Sequence, residues 1–297
     1  MIVITGATGQ TGSKIAELLI GKNDKIRVIG RSMERLNRFV EMGADAMAGD
    51  QSDAQFLTNA LAGADAGYLL VPPKFDSTDV RKYYNALGDA AMTAIRKSGI
   101  RKIVFLSSLG ADKDQGTGPV LGLHDVERKL EMMKNTDIVF LRAGYFMENT
   151  LMDIHRIKNQ RIIGNHLAPD APIITVATRD IAMKAADLLS ARTFTGHMIV
   201  ELFGQRISYR EMARTIGAKI GMPGLTYVQF SEKDAMEGMV GMGLSSNVAE
   251  SFVGLAKGIN AGNIATVLED PNKPTAPTEF TKFVEDVFYP AFKSADF

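Results

Sequence analysis

Three glycines spaced three residues apart, Gly6, Gly9 and Gly12, lie between an apolar run and a helical pattern. The apolar run covers residues 2–4, and apolar residues recur on one helical face over residues 14–20. Glycine lets the backbone turn sharply between the two elements. A strand, a glycine-rich turn and a helix in this order predict a βα unit, from which parallel sheets are built.

The same alternation continues through the first half of the chain. Apolar runs typical of buried strands cover residues 2–4, 26–29, 44–48, 66–71, 103–106 and 138–141. Helical patterns cover residues 14–20, 33–42, 54–61, 80–97 and 124–133. The alternation predicts an α/β fold with a doubly wound parallel sheet, Rossmann-like, with helices on both faces.

The pattern changes after about residue 145. Three elements are predicted there: a helix over 178–189 capped by Thr178, a strand over 197–202, and a helix over 208–220 opened by a Ser208–Glu211 capping box. We expect the strand to join the main sheet. The remaining segments are mainly helical and rich in methionine.

These elements predict two regions. Residues 1–146 and 177–204 form the sheet-based region, and residues 147–176 and 205–297 form a smaller, mainly helical C-terminal region. We expect the smaller region to close over the carboxyl ends of the strands, where open α/β sheets bind ligands.

Composition excludes several classes of function. Lys plus Arg and Asp plus Glu are both 34, and no basic tract is present, so direct nucleic-acid binding is not expected. The absence of cysteine excludes thiolate metal sites and thiol nucleophiles. The four histidines lack metal-ligand spacing, and we assign no metal. The absence of cysteine also favours a reducing cytoplasm as the location. No apolar run reaches the roughly 18 residues of a membrane helix, so we expect no membrane span.

The glycine-rich segment has the context that a dinucleotide-binding fingerprint requires, after a strand and at the start of a helix. Its glycines allow the backbone to approach a pyrophosphate, and the helix N-terminus offers free N–H groups. The predicted cofactor-binding residues here are Gly6, Thr8, Gly9, Gln10, Thr11 and Gly12. The alternative is a tight turn that binds nothing.

Arg31 and Ser32 follow the second strand, at about the distance from the fingerprint where an NAD site carries an acidic residue. The first acid after this strand is Glu34, which already lies in the helix pattern. A guanidinium suits the 2′-phosphate of NADP(H), so we predict that NADP(H) is preferred over NAD(H). The alternative is a solvated surface arginine.

Two further strand ends complete the predicted cofactor groove. Asp50 and Gln51 follow the third strand and could bind adenine, although Asp50 or Ser52 could equally cap the helix that starts near residue 54. Val71 and Pro72 end the fourth strand and are expected to line the ribose channel, which a simple helix-blocking turn would also explain.

Seven segments carry a resemblance to a known family: residues 4–12, 28–31, 48–50, 104–108, 140–149, 178–182 and 208–213. Together they resemble the NmrA-like branch of the atypical short-chain dehydrogenases/reductases. The resemblance covers nearly the whole chain and implies the Rossmann-like fold and NADP(H). That branch includes quinone, azo-dye and triphenylmethane-dye reductases. It also includes proteins that bind NADP without turnover and act as sensors or co-regulators.

The resemblance also indicates where chemistry would occur. Ordinary short-chain dehydrogenases use a serine with Tyr-x-x-x-Lys; Ser107 fits the serine, but no Tyr-x-x-x-Lys occurs in the chain. His124 stands roughly where that tyrosine is expected, and an imidazole can donate a proton near neutral pH. We therefore predict Ser107 and His124 as catalytic residues and Ser107 also as a cofactor-binding residue. The alternative for His124 is a residue that only orders the loop beside the nicotinamide.

Candidate substrate-pocket residues follow the fourth and sixth strands and lie in the methionine-rich segment: Phe75, Tyr145, Phe146, Asn149, Met236 and Met239. Surface exposure would also explain Phe75, and packing between the two regions is favoured for Tyr145 and Phe146. Core packing is favoured for Met236, Met239 and Met242; the alternative is an adaptable wall for a flat substrate.

Two functions follow from these observations. The first is an NAD(P)H-dependent oxidoreductase that transfers a hydride to a conjugated, quinone-like or dye-like acceptor. The second is a non-catalytic NADP(H)-binding redox sensor that acts through a protein partner. We favour the enzyme because the methionine-rich segment suggests a substrate chamber. A homodimer is compatible with either.

Overall fold

The computed structural model describes residues 1–295 of the chain. Its strands are β1 (Ile2–Ile4), β2 (Ile26–Gly30), β3 (Asp45–Ala48), β4 (Ala66–Leu69), β5 (Lys102–Ser108), β6 (Asp137–Ala143), β7 (Tyr145–Phe146), β8 (Ile162–Asn165), β9 (Ile173–Val176), β10 (His197–Leu202), β11 (Arg206–Ile207) and β12 (Thr226–Gln229).

Its α-helices are α1 (Gly12–Gly21), α2 (Met33–Glu41), α3 (Ala54–Leu61), α4 (Val80–Ser98), α5 (Val120–Leu130), α6 (Ile154–Gln160), α7 (Thr178–Ala191), α8 (Tyr209–Lys219), α9 (Glu232–Gly241), α10 (Ser246–Asn260), α11 (Phe280–Phe283) and α12 (Tyr289–Ser294). A 3₁₀-helix covers Met147–Asp153, and a π-helical turn covers Val284–Phe288.

Seven strands form one parallel sheet in the order β10-β6-β5-β4-β1-β2-β3. The order reverses between β1 and β4, so the connections leave these two strands in opposite directions and open a crevice above their carboxyl ends. The predicted doubly wound parallel sheet is confirmed, and the strand over His197–Leu202 joins it beside β6 as expected.

The two faces of the sheet bury separate cores. In β1, Ile2 and Ile4 pack on one face with α1 and α7, while Val3 packs on the other with α3 and α4. This alternation is what a strand with both faces covered requires. A third core, which includes Ile163, lies in the small sheets and later helices. The boundaries of the two predicted regions remain a prediction.

Three predicted details of the helices are wrong, and one is confirmed. Helix α5 begins at Val120 rather than at 124, and its first turn includes Gly122, where a Cβ would lie 2.4 Å from the Tyr84 ring. Thr178 does not cap α7; the N-cap is Ala177, and the Thr178 side chain bonds Glu148 instead. Neither Asp50 nor Ser52 caps α3, because Asp53 accepts from its first N–H groups. The capping box of α8 is present as predicted.

Among residues 1–295, no helix combines the length and apolarity needed to cross a lipid bilayer.

Candidate active site

The glycine-rich loop lies at the switch point of the sheet, between β1 and α1. Gly6 has a φ of +61°, a conformation that favours glycine. A Cβ on Gly12 would lie 2.4 Å from the carbonyl oxygen of Gly6, so glycine lets α1 start directly against the loop. The loop is therefore shaped by local sterics before any ligand is considered.

Gly9 and Gln10 form the exposed tip of this loop. A Cβ on Gly9 would meet only the Gly6 carbonyl oxygen, at 3.2 Å, and otherwise point into open space. The first turn of α1 leaves backbone N–H groups without helical acceptors and carries the positive end of the helix dipole. The tip can thus accommodate an anionic group close to the backbone.

Two arginines stand beside the loop at the end of β2. Arg31 is exposed, and Ser32 caps α2 by accepting from the Arg35 backbone N–H. The Arg35 guanidinium donates to the Thr8 carbonyl oxygen over 3.4 Å. Sequence reasoning singled out Arg31 but missed Arg35. Its position in the first turn of the helix that follows β2 was the available signal.

Asp50 lies near this group at the end of β3. The Ser52 backbone N–H, assisted by the Ser52 hydroxyl and by the positive charges of Arg31 and Lys74, lowers the pKa of Asp50 although partial burial opposes it. Asp50 is therefore an ionised acceptor within the electrostatic range of Arg31. Gln51, the next residue, is half-buried.

The segment after β4 forms the next wall of the groove. Val71 and Pro72 are half-buried, and Phe75 is 50% exposed. The Phe75 carbonyl accepts from the Ser245 backbone N–H over 2.8 Å, which attaches this loop to the start of α10. The aromatic ring of Phe75 thus belongs to an exposed loop whose backbone is fixed by the smaller region.

Ser107 lies at the carboxyl end of β5, where the sequence predicts it. Its side chain is buried, and its hydroxyl donates to Glu127 on α5 over 2.5 Å. The hydroxyl proton is therefore committed to a carboxylate, so Ser107 can act as a hydrogen-bond acceptor but does not offer its proton to a ligand.

His124 is half-buried in the second turn of α5, not at its start. Its Nδ1 lies 2.8 Å from the carbonyl oxygen of Ala111, and a carbonyl can only accept, so Nδ1 carries the proton. Nε2 is then the atom that can exchange a proton with a ligand. Ala111 belongs to the loop between β5 and α5, which is thereby attached to the imidazole.

Tyr145 and Phe146 follow β6 and turn to opposite sides. Tyr145 packs against the core of the smaller region, while Phe146 packs against the core of the main sheet. The Tyr145 and Tyr209 hydroxyls are 2.9 Å apart, and Asn149 is half-buried nearby in the 3₁₀-helix. This arrangement favours the packing interpretation of both aromatic residues.

The methionine-rich helix α9 is not a core element. Met236 and Met239 are half-buried, and Met242 is 69% exposed. Core packing, the favoured sequence prediction for these residues, is therefore wrong. Helix α9 buries only Ala235 fully, because its glycines leave too little apolar surface for an extensive interface.

The buried carboxyl of Asp153, close to the tyrosines, leads to a prediction about how stability depends on pH. Burial raises the pKa of Asp153 to about 6, although its ion pair with Arg156 opposes the shift. The folded state thus holds a proton that the unfolded chain releases near pH 3.8, and this stabilisation is lost as the pH rises through about 6. The shift corresponds to roughly 2–3 kcal/mol.

We expect the free energy of unfolding to fall more steeply in the unmutated protein than in Asp153→Asn between about pH 4 and pH 7, since asparagine does not titrate. Denaturant unfolding at a series of pH values measures this difference. Parallel curves for the two proteins would contradict the assignment.

The chain matches the NmrA-like family over residues 1–284. It belongs to the NmrA-like family. Quinone oxidoreductase 2 of Escherichia coli strain K12 is 30% identical over 269 residues, 87% of this chain and 89% of that relative. An NAD(P)H azoreductase of Xenophilus azovorans is 26% identical over 256 residues, 85% of each chain. Membership of the NmrA-like family confirms the predicted resemblance.

Two solved structures share the fold. One is an NADPH-dependent quinone oxidoreductase from Escherichia coli complexed with NADPH, with a TM-score of 0.79 and 24% identity over 97% of this chain and 100% of that chain. The other is a triphenylmethane reductase from Citrobacter sp., with a TM-score of 0.82 and 19% identity over 98% of this chain and 99% of that chain. The Rossmann-like arrangement is thus common to these NmrA-like and reductase chains.

Proposed function

We propose that this protein is an NADPH-dependent reductase that acts on a planar, conjugated acceptor such as a quinone. The observation that carries the proposal is the glycine-rich loop at the switch point, with Arg31 and Arg35 at the neighbouring strand end. Family members named quinone oxidoreductase and azoreductase support the enzyme over the sensor hypothesis.

The residues present fit the cofactor. The open space at Gly9 admits a pyrophosphate beside the α1 N-terminus, and Arg31 and Arg35 supply charge for a 2′-phosphate. Asp50 and Gln51 are the proposed adenine contacts, and Val71 and Pro72 the proposed ribose wall. When bound, the reduced nicotinamide supplies a hydride to the acceptor.

The chain's own contribution to the chemistry is orientation and a proton. Nε2 of His124 is the proposed donor, because Nδ1 is held by Ala111. Quinones need this donor least, since delocalisation stabilises their reduced anions. The proposed acceptor contacts are Phe75, Tyr145, Phe146, Asn149, Met236 and Met239. Homodimer formation and a cytoplasmic location remain predictions from the sequence.

Arg31→Ala should weaken NADPH binding about ten- to a hundredfold and leave NADH binding nearly unchanged, because one charge-assisted contact to the 2′-phosphate contributes roughly 1.5–3 kcal/mol. Fluorescence titration of both cofactors measures the effect. Arg38→Ala is the matched control, since Arg38 lies on α2, the helix that follows Arg31, but pairs with Glu17. Equal affinity of the unmutated protein for NADPH and NADH would contradict the assignment.

The function is tested by NADPH oxidation against a panel of quinones, azo dyes and triphenylmethane dyes, with NADH alongside. We expect acceptor-dependent oxidation that is faster with NADPH. Tight NADPH binding without oxidation by any acceptor would favour the sensor instead.

A further inference from the structure

A small polar cluster interrupts the apolar packing between the sheet and α5. It consists of Ser107, Glu127 and Arg142, whose exposed fractions are 4%, 0% and 2%. Glu127 lies on α5, and Ser107 and Arg142 are register partners at the carboxyl ends of β5 and β6. The cluster therefore joins two strand ends of the proposed active site to the helix that carries His124.

Three hydrogen bonds within this cluster hold the Glu127 carboxylate in place. Arg142 holds the Glu127 carboxylate with two bonds, Nε to Oε1 over 3.0 Å and Nη2 to Oε2 over 2.5 Å. The Ser107 hydroxyl donates to the same Oε1. A two-point guanidinium–carboxylate pair restricts both position and rotation of the side chains. Glu127 is one helical turn beyond His124, so the restriction applies to the same face of α5.

Stability does not account for a charged pair at this depth. Removing two charges from water carries a large desolvation penalty, and apolar residues of similar volume often stabilise a fold equally well or better. The neighbouring carboxylate, Glu201, is already satisfied by the backbone N–H groups of Val267, Leu268 and Glu269. Arg142 therefore pairs with Glu127, and Glu127 in turn accepts from Ser107 at the end of β5.

We propose that Glu127 and Arg142 are positioning residues of the reductase site. They turn the Ser107 hydroxyl toward α5, leaving its oxygen as an acceptor, and they hold α5 so that His124 keeps its place beside the ends of β5 and β6. This inference rests on the proposed function, and neither residue touches the reacting atoms.

The test compares Ser107→Ala with Ser107→Ala/Glu127→Leu/Arg142→Met. In the triple variant no member of the cluster keeps a polar group without its partner, so we expect thermal stability at least equal to that of the single variant. Misplaced catalytic groups cost up to about a hundredfold in rate, so we expect kcat about ten- to a hundredfold below the single variant. KM for the quinone and Kd for NADPH should change by less than about twofold.

The matched control is Lys102→Met/Asp137→Asn, which removes an ion pair between the same two strands at their amino ends. We expect it to leave kcat unchanged. Glu127→Asp is a second, independent test, because it keeps the charge but withdraws the carboxylate from Ser107 and Arg142. It should lower kcat and leave the Kd for NADPH unchanged.

Equal kcat in the single and triple variants would overturn the positioning role, as would an equal loss in the control pair. If the triple variant does not fold, an unchanged kcat in Glu127→Asp overturns it. An unmutated protein that oxidises no NADPH with any acceptor contradicts the proposed function itself, whereas an active protein with an unaffected triple variant contradicts only the positioning role.

Discussion

We expect Gly9→Val to abolish binding of both NADPH and NADH while the protein stays folded. The branched side chain would project from the loop tip into the open space proposed for the pyrophosphate, which both cofactors contain. Because Gly9 is exposed and its Cβ would meet only one carbonyl oxygen, the fold should tolerate the change. Cofactor titration together with thermal unfolding measures the two effects separately.

Gly21→Val is the matched control. Gly21 is the last residue of α1, the helix that follows the loop, and a Cβ there would meet nothing within 4 Å. It should leave cofactor binding unchanged. Gly12→Ala should behave differently again and lower stability, because its Cβ would lie 2.4 Å from the Gly6 carbonyl oxygen. Normal NADPH affinity in Gly9→Val would contradict the placement of the cofactor at this loop.

We expect His124→Phe to lower turnover about a hundredfold on acceptors that need a proton, with NADPH affinity almost unchanged. The phenyl ring keeps the aromatic bulk but removes Nε2, the proposed donor, and Nδ1, which binds Ala111. The loss should be smaller for quinones. Steady-state rates on quinones and on acceptors that need a proton, together with NADPH titration, measure these effects.

His124→Asn separates the two nitrogens. Its amide can still donate to the Ala111 carbonyl but does not titrate near neutral pH. If proton donation is the role, this variant should be as slow as His124→Phe. If His124 only orders the loop, His124→Asn should keep nearly normal rates, and unchanged rates in both variants would make the residue dispensable for turnover.

The fold was predictable because local signals agreed with one another. Apolar runs, helical patterns and the capping box at Ser208 each depend on neighbours within a few residues, and all of them pointed to a parallel sheet. The start of α5 was missed because Gly122 looks like a helix breaker in sequence. Only the close approach of Tyr84, which comes from another helix, makes glycine favourable there.

The candidate site was predictable in outline and not in its contacts. The carboxyl ends of parallel strands share one edge of a sheet, so Gly9, Arg31, Asp50 and Ser107 could be placed in one groove from sequence order. The bond from Ser107 to Glu127 depends on how α5 packs across β5, which spacing does not reveal. An arginine at 142, directly after an apolar strand run, was the available signal of a buried partner.

The most direct test of the account is a single-turnover reaction of the protein loaded with NADPH deuterated at the transferring C4 position. We predict that oxidation of the cofactor requires a quinone, speeds up with quinone concentration until the site is saturated, and is slower with deuterium than with hydrogen. Cofactor that binds tightly but persists unoxidised at every quinone concentration would contradict hydride transfer at this site.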